Sequence, residues 1–178
     1  MVAISALASE PEGVDLPVDA HRRLIRSALP ADDGALSMLV PDPDRRWWRF
    51  RHAAGSGETM LVAEVDGEVC GVLSIRWDRG CDAPHPWLYG GAVLPALRGL
   101  GFGTALWLAA HQLCVARGAS YASLDVDVAN VESRRLYERL GYVVLGPHEH
   151  GWVARDVSGE ITGRGAADTW LMRCNLLL

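Results

Sequence analysis

The hydrophobic pattern of this chain predicts strands and helices in alternation. Short apolar or alternating runs bounded by turn residues are typical of strands, and apolar residues repeated three and four positions apart are typical of helices. The predicted strands are Val2–Leu7, Met60–Val65, Val69–Trp77, Trp87–Leu94, Ala119–Val128, Tyr142–Leu145 and Thr169–Leu176. The predicted helices are Val18–Leu29, Arg45–Ala54, Gly101–Arg117 and Val131–Leu140, with a loop or irregular hairpin at Gly146–Gly165. This order predicts an α/β (α+β) fold with a mixed sheet, in a single domain over residues 1–178.

Turn residues support several of these boundaries. The pair Asp66-Gly67 lies between two apolar runs and is the strongest hairpin signal in the chain. The turn Pro41-Asp42-Pro43-Asp44 is predicted to supply the N-cap of the second helix, and Gly55 is predicted to end it. Pro30 is predicted to end the first helix, because proline lacks the N–H group that a helix interior needs.

The second predicted helix interleaves aromatic residues with arginines. Trp47, Trp48 and Phe50 lie among four arginines. Such a pattern occurs in proteins that bind single-stranded nucleic acid or a membrane surface. The favoured interpretation is an amphipathic helix whose tryptophans pack inward while its arginines stay in solvent, because the whole chain carries a formal net charge of −5.

Composition narrows the classes of function. Hydrophobic residues make up 49% of the chain, which is enough to build a buried core. The acidic charge argues against a nucleic-acid partner, and no apolar run approaches the length that a membrane span requires. The four cysteines include no C-x-x-C pair, which predicts reduced, packed thiols and a cytoplasmic protein.

A glycine-rich turn between a strand and a helix carries the first chemical signal. The turn reads Arg98-Gly99-Leu100-Gly101-Phe102-Gly103-Thr104. Glycines let the backbone approach an anion, the first N–H groups of a helix have no partner within it, and an arginine adds a charged donor. The spacing fits neither the dinucleotide fingerprint nor the P-loop. It predicts a phosphate-binding turn, with a turn that only packs closely as the alternative.

A second motif follows the strand that ends near Val128. It begins at Asn130, continues through Tyr137 and ends at Leu140-Gly141-Tyr142. Asn130 and Tyr137 fall on one face of the predicted helix, about 10 Å apart. Together, in this order and with a strand between them, the two motifs resemble the acetyl-CoA signatures of the GNAT superfamily of acyltransferases. The resemblance extends over about residues 44–175.

This resemblance implies a GNAT fold, with a central, mostly antiparallel sheet, a splayed parallel pair at the cofactor site, and flanking helices. It also implies acetyl-CoA as a cosubstrate and no metal. The pyrophosphate is expected on the turn from Arg98 to Thr104, and the pantetheine arm on the backbone of Ala92 and Val93, close to Asn130. The helix with the tryptophans is implied to form one wall of the acceptor site.

Two residues are predicted to move protons. The resemblance implies that Tyr137 protonates the departing CoA thiolate. Asp125 matches the position of a basic glutamate in the ribosomal-protein N-terminal acetyltransferases of the superfamily, with a solvated or helix-capping aspartate as the alternative. Glu64 and Tyr89 are weaker candidates for the base, and a relay through water is a further possibility.

The predicted activity is transfer of an acetyl group from acetyl-CoA to a primary amine of a small molecule, or to a peptide or protein N-terminus. The alternatives are a non-catalytic module that binds CoA esters and a different acyl donor, such as succinyl-CoA. His148 and His150 lack an evident third metal ligand, so they are predicted to lie in an exposed polar turn. Apolar residues on the outer helix face suggest a homodimer; they are Trp107, Leu108 and Val115.

Overall fold

A computed structural model describes residues 14–18, 21–77 and 86–177 of the chain. Its strands are β1 Val14–Val18, β2 His21–Ser27, β3 Glu58–Val65, β4 Glu68–Arg76, β5 Trp87–Val93, β6 Tyr121–Asp127, β7 Val143–Arg155 and β8 Ile161–Asn175. Its α-helices are α1 Asp33–Leu36, α2 Pro43–Ala54, α3 Phe102–Ala116 and α4 Val131–Arg139. None of the helices in these ranges is long and apolar enough to cross a bilayer. The predicted strand Val2–Leu7 lies outside the described residues.

The strands form one mixed sheet in the order β1-β2-β3-β4-β5-β6-β8-β7. Neighbouring strands are antiparallel except β5 and β6, which are parallel and pair only at Trp87 and Ser123. Beyond that pair the two strands separate and leave a cleft between them. The register of β5 against β4 also shifts, so that Gly90 and Gly91 stand opposite the single residue Leu73. The predicted mostly antiparallel sheet with one splayed parallel pair is therefore confirmed.

Helices cover both faces of this sheet. On one face, Leu106 and Trp107 of α3 join the larger core, and α4 packs beside them. On the other face, Leu36 of α1 and Phe50 of α2 pack on a smaller cluster that includes Val62. Coverage on both faces explains why β4 is buried along nearly its whole length. Full burial of one leucine side chain stabilises the fold by about 2 kcal/mol.

The predicted helix Val18–Leu29 is wrong, because most of it is strand β2. Arg26 is part-buried between two acidic groups: its Nη1 lies 2.7 Å from Oδ2 of Asp32, and its Nε donates to Oε1 of Glu64 at 2.9 Å. Ile25, on the other face of β2, is buried in the larger core. These interactions with residues distant in sequence outweigh the local helical spacing. Glu64, a weaker candidate for the base, is thus engaged by Arg26.

Other local signals are confirmed. Asp66 and Gly67 both have positive φ angles, 52° and 87°, as a two-residue hairpin turn between β3 and β4 requires. The side chain of Asp42 accepts hydrogen bonds from two backbone N–H groups in the first turn of α2. Three cysteines, Cys70, Cys114 and Cys174, are free and buried, whereas the fourth lies outside the described residues.

The segment Gly146–Gly165 belongs to a long hairpin formed by β7 and β8. The pairing extends from Val143 with Arg173 to Arg155 with Ile161 and contains two register shifts. Of the two predicted alternatives, a loop or an irregular hairpin, the hairpin is therefore correct. The arm of this hairpin reaches α2, where Nε1 of Trp48 donates to the Asp156 carbonyl at 2.9 Å.

Candidate active site

The turn before α3 presents a row of unpaired backbone amides. Among the described residues, none accepts a hydrogen bond from the N–H groups of residues 99–104, whereas Ala105 bonds to the carbonyl of Gly101. Gly99 and Gly101 have φ angles of 76° and 91°, which favour glycine. Amides of this kind at a helix start are suited to bind phosphate.

Two arginines hold this turn in place. Arg98 lies between β5 and the turn, and its Nε donates to the Val93 carbonyl at 3.1 Å. Arg23 comes from β2, where its Nη1 donates to the Leu100 carbonyl at 2.8 Å and its guanidinium lies 4.8 Å from the centre of the Phe102 ring. The Phe102 side chain is buried, so this residue can offer only its amide to a ligand. Arg23 was not predicted, because its segment was assigned to a helix.

Helix α4 brings Tyr137 to the cleft. Asn130 caps this helix through Oδ1, which accepts from the N–H group of Ser133 at 3.1 Å. Tyr137 packs edge-on against Trp107, with 4.7 Å between ring centres. Burial raises the pKa of Tyr137 to about 12, the Ser133 hydroxyl opposes this shift, and the charge of Asp125 adds to it. The phenol therefore keeps its proton at neutral pH.

Asp125 is paired with a histidine from β7. Its Oδ2 lies 2.9 Å from Nδ1 of His150, with 13% of the Asp125 side chain and 34% of the His150 side chain exposed. The hydrogen bond with Asp125 raises the pKa of His150 above its ordinary value, although burial and the charges of Arg76 and Arg45 act in the opposite direction. The two side chains therefore form a hydrogen-bonded pair, and the charge of Asp125 also acts on Tyr137.

The predicted exposed turn at His148 and His150 is wrong, because both residues lie in β7 and are half-buried. Side chains two residues apart in a strand lie on the same face of the sheet. A predicted strand in this segment would therefore have placed the two histidines on one face. His148, His150 and Asp125 place one donor atom each within 4.8 Å of one another. Such a spacing suits a shared divalent cation, and the absence of a metal stays a prediction.

Helix α2 departs from its prediction at Arg49 and Trp47. Arg49 is 6% exposed, whereas Trp47 is 36% exposed. The Arg49 guanidinium lies over the ring of Tyr89, 5.1 Å from its centre. Its Nε and Nη1 are buried and have no hydrogen-bond partner among the described residues. Burial lowers the pKa of Arg49, as expected for a cation held without an anion.

Three polar side chains contact the carboxylate of Glu58, which lies next to Arg49. Its Oε2 accepts from the Tyr89 hydroxyl at 2.5 Å, and its Oε1 accepts from Nε of Arg76 at 3.0 Å. The same Oε1 lies 3.4 Å from Nδ1 of His52. Burial, followed by the charge of Glu58, raises the pKa of Tyr89 to about 12, so this phenol is unsuited to act as a base.

The outer face of α3 only partly matches its prediction. Trp107 is buried at 4% exposure between Tyr137 and Tyr142, so it is not a surface residue. Leu108 and Val115 are exposed and line an apolar groove with the start of β7. The homodimer stays a prediction.

Comparison with known proteins identifies the family. A family model described as "Acetyltransferase (GNAT) family" matches residues 22–142, and the chain belongs to this family. It is 40% identical over 87 residues to an uncharacterized N-acetyltransferase, MJ1530, of Methanocaldococcus jannaschii, and the match covers 47% of this chain and 51% of that protein. It is 30% identical over 129 residues to the 5-NmdU N-acetyltransferase of Pseudomonas phage PaMx11, covering 69% and 89% of the two chains.

A solved structure shares the fold. The putative acetyltransferase yncA from Salmonella typhimurium, determined with its cofactor acetyl-CoA, matches with a TM-score of 0.66 and 24% identity over 86% of this chain and 94% of that one. By contrast, the chain spans about half the length of the archaeal relative.

Proposed function

We propose that this chain is an acetyl-CoA-dependent N-acetyltransferase that acetylates a primary amine of a small molecule or of a peptide or protein N-terminus. The observation that carries this proposal is the row of unpaired amides at residues 99–104, beside the opening between β5 and β6. Membership of the acetyltransferase family supports the same conclusion.

The cosubstrate is assigned to the cleft between β5 and β6, with its phosphates at the turn of residues 99–104 and its acyl end deeper in the cleft. The amides of residues 99–104 and the Arg98 side chain would bind the pyrophosphate. The pantetheine arm would follow the backbone of Ala92 and Val93, where β5 has left β6, with Asn130 on the other side. This path directs the acyl group toward Tyr137 and Asp125. The function requires no metal.

Acetyl transfer is proposed to occur directly between the two bound substrates. The amine nitrogen bonds to the thioester carbon, the carbon–sulfur bond breaks, the amine proton passes to the Asp125–His150 pair, and Tyr137 protonates the thiolate. A main-chain N–H of β5 near Ala92 and Val93 would stabilise the oxyanion. A cysteine nucleophile is not needed, and burial raises the pKa of the Cys70 and Cys114 thiols to about 11 and about 12, which makes both poor nucleophiles.

Release of CoA thiol from acetyl-CoA, measured across a panel of amines, tests this function. Tyr137→Phe should lower kcat by about 10²-fold or more, with CoA affinity by calorimetry little changed. Tyr121→Phe makes the same chemical change on β6 away from Tyr137 and should leave kcat unchanged. Unchanged turnover in Tyr137→Phe would remove this residue from the role of proton donor.

The same assay separates the alternatives. Binding of CoA without thiol release for any amine would favour the non-catalytic module, and faster release from succinyl-CoA would favour another acyl donor. No heat of association with CoA would contradict the proposal as a whole. The cytoplasmic location stays a prediction.

A further inference from the structure

A buried guanidinium beside the cleft has no hydrogen-bonded anion among the residues that the structure describes. Arg49 projects from α2 and is only 6% exposed, and two of its nitrogens are buried without an acceptor among the described residues. A buried charge is costly unless it is paired, and buried polar groups almost always have partners. The position of Arg49 therefore indicates that an anion from beyond the described residues completes the site.

Strand β5 is shaped to receive this guanidinium. The Tyr89 ring lies beneath it, and a Cβ atom at Gly90 would stand 2.0 Å from Nη2 of Arg49. Gly90 also has a φ angle of 64°, which favours glycine. Because Tyr89 and Gly90 precede Ala92 and Val93 in the strand, the guanidinium lies past the acyl end of the proposed CoA path.

Two further arginines act on Arg49 electrostatically. Burial lowers the pKa of Arg49 most, and the charges of Arg45 and Arg76 lower it further. Glu58 attracts Arg49 electrostatically but makes its hydrogen bonds with other residues. An anion bound to Arg49 would therefore also be attracted by Arg45 and Arg76.

We infer that Arg49 binds a carboxylate of the acceptor, so that the substrates are amines that also carry a carboxylate, such as amino acids. A guanidinium matches a carboxylate in planar, two-point hydrogen bonding. The CoA phosphates do not fill this role, because their proposed site lies beyond Val93 at the other end of the cleft. The inference rests on the proposed acetyl transfer and specifies its acceptor.

Matched pairs of amines test the inference. Each pair consists of an α-, β- or γ-amino acid and the amine obtained by removing its carboxylate, assayed by thiol release with acetyl-CoA. The wild type should prefer the amino acid in at least one pair by roughly 10²-fold in kcat/KM, mainly through KM. Equal rates within every pair would overturn the inference and leave the acetyl transfer intact.

Variants at Arg49 assign the preference to this side chain. Arg49→Met should abolish the preference, because the contact with the carboxylate is lost. Arg49→Lys should retain part of the preference, since it keeps the charge but not the planar donors. Arg51→Met, an exposed arginine on the same helix, is the matched control and should behave like the wild type. An equal loss for both members of a pair in Arg49→Met would overturn the inference.

Two measurements separate recognition from a structural role. Arg49→Met should be as stable to urea as the wild type, because an apolar side chain replaces an unpaired buried charge. Calorimetry on the CoA-bound protein should show binding of an N-acetylated amino acid by the wild type and its loss in Arg49→Met and in part in Arg49→Lys. This binding assay decides the role of Arg49 even if no amine supports thiol release, and absence of a difference between wild type and Arg49→Met would overturn it.

Discussion

A single hydrogen bond links Asp125 and His150 and raises the pKa of the imidazole. The carboxylate holds Nδ1 of His150 at 2.9 Å, which leaves Nε2 as the site that can take a proton from an amine. Sequence reasoning selected Asp125 but not its partner. In the proposed function the carboxylate orients the neutral imidazole and stabilises the imidazolium that forms when it accepts the amine proton, which compensates for the reach lost by having aspartate instead of glutamate.

This pairing predicts a shift in the pH profile. His150 must be neutral to accept a proton, so kcat/KM should rise with pH through the raised pKa of His150. Asp125→Asn removes the largest cause of the raised pKa, so the acidic limb should move to lower pH while the maximal rate falls. The pH dependence of kcat/KM, measured for the wild type and Asp125→Asn, checks this.

Asp127→Asn is the matched control, since Asp127 is exposed two residues further along β6. Its acidic limb should coincide with that of the wild type. A limb that stays in place in Asp125→Asn would show that His150 is not the titrating base.

Helix α3 is tied to the start of β7 by a buried, titratable contact. Nε2 of His111 lies 2.9 Å from the hydroxyl of Tyr142, which is 2% exposed. Burial lowers the pKa of His111 to about 4, whereas the unfolded chain has a value near 6.5. Folding therefore favours the neutral imidazole. The contribution of His111 to the free energy of unfolding is complete above about pH 6.5, declines as the pH falls, and levels off below about pH 4.

Urea unfolding at about pH 7 and about pH 5 measures this contribution. Because His111→Gln can still hydrogen-bond Tyr142 but does not titrate, the wild type should lose about 2 kcal/mol more free energy of unfolding than the variant between these pH values. Equal losses in the wild type and His111→Gln would show that His111 is not held neutral.

Most elements were predictable from sequence because their signals are local. The hairpin at Asp66-Gly67 and the cap at Asp42 depend on residues that are neighbours in the chain. Strand β2 was missed because Arg26 is held by Glu64, which lies far along the sequence. The burial of Arg49 was not predicted, because helical periodicity assigns charged residues to the solvent-facing side.

The candidate site divides in the same way. The phosphate-binding turn and Tyr137 follow from motifs whose geometry is set within one turn or one helix. The contact of Asp125 with His150 needs two strands that are not adjacent in the sheet, since β8 lies between β6 and β7. No characteristic residue spacing marks such a contact in the sequence, so only the fold shows it.

The sheet consists of two halves that pair with each other at one point and separate at the proposed cofactor site. Strands β1 to β5 and strands β6 to β8 are joined within the sheet only where Trp87 pairs with Ser123. A ligand that contacts both edges of the cleft should therefore stabilise the entire fold. At about 100 times its Kd, CoA should add about 2.7 kcal/mol, which raises Tm by roughly 5–10 °C in a domain of this size.

Thermal unfolding with and without CoA measures this effect. Arg98→Ala should show a smaller increase in Tm, because the variant loses a charged donor to the pyrophosphate, whereas the exposed Arg139→Ala on α4 should match the wild type. Amide hydrogen exchange should slow in both β5 and β6 when CoA binds, since the ligand replaces the missing strand pairing between them. Protection confined to the turn at residues 99–104, with no change in either strand, would contradict a cofactor that bridges the two halves.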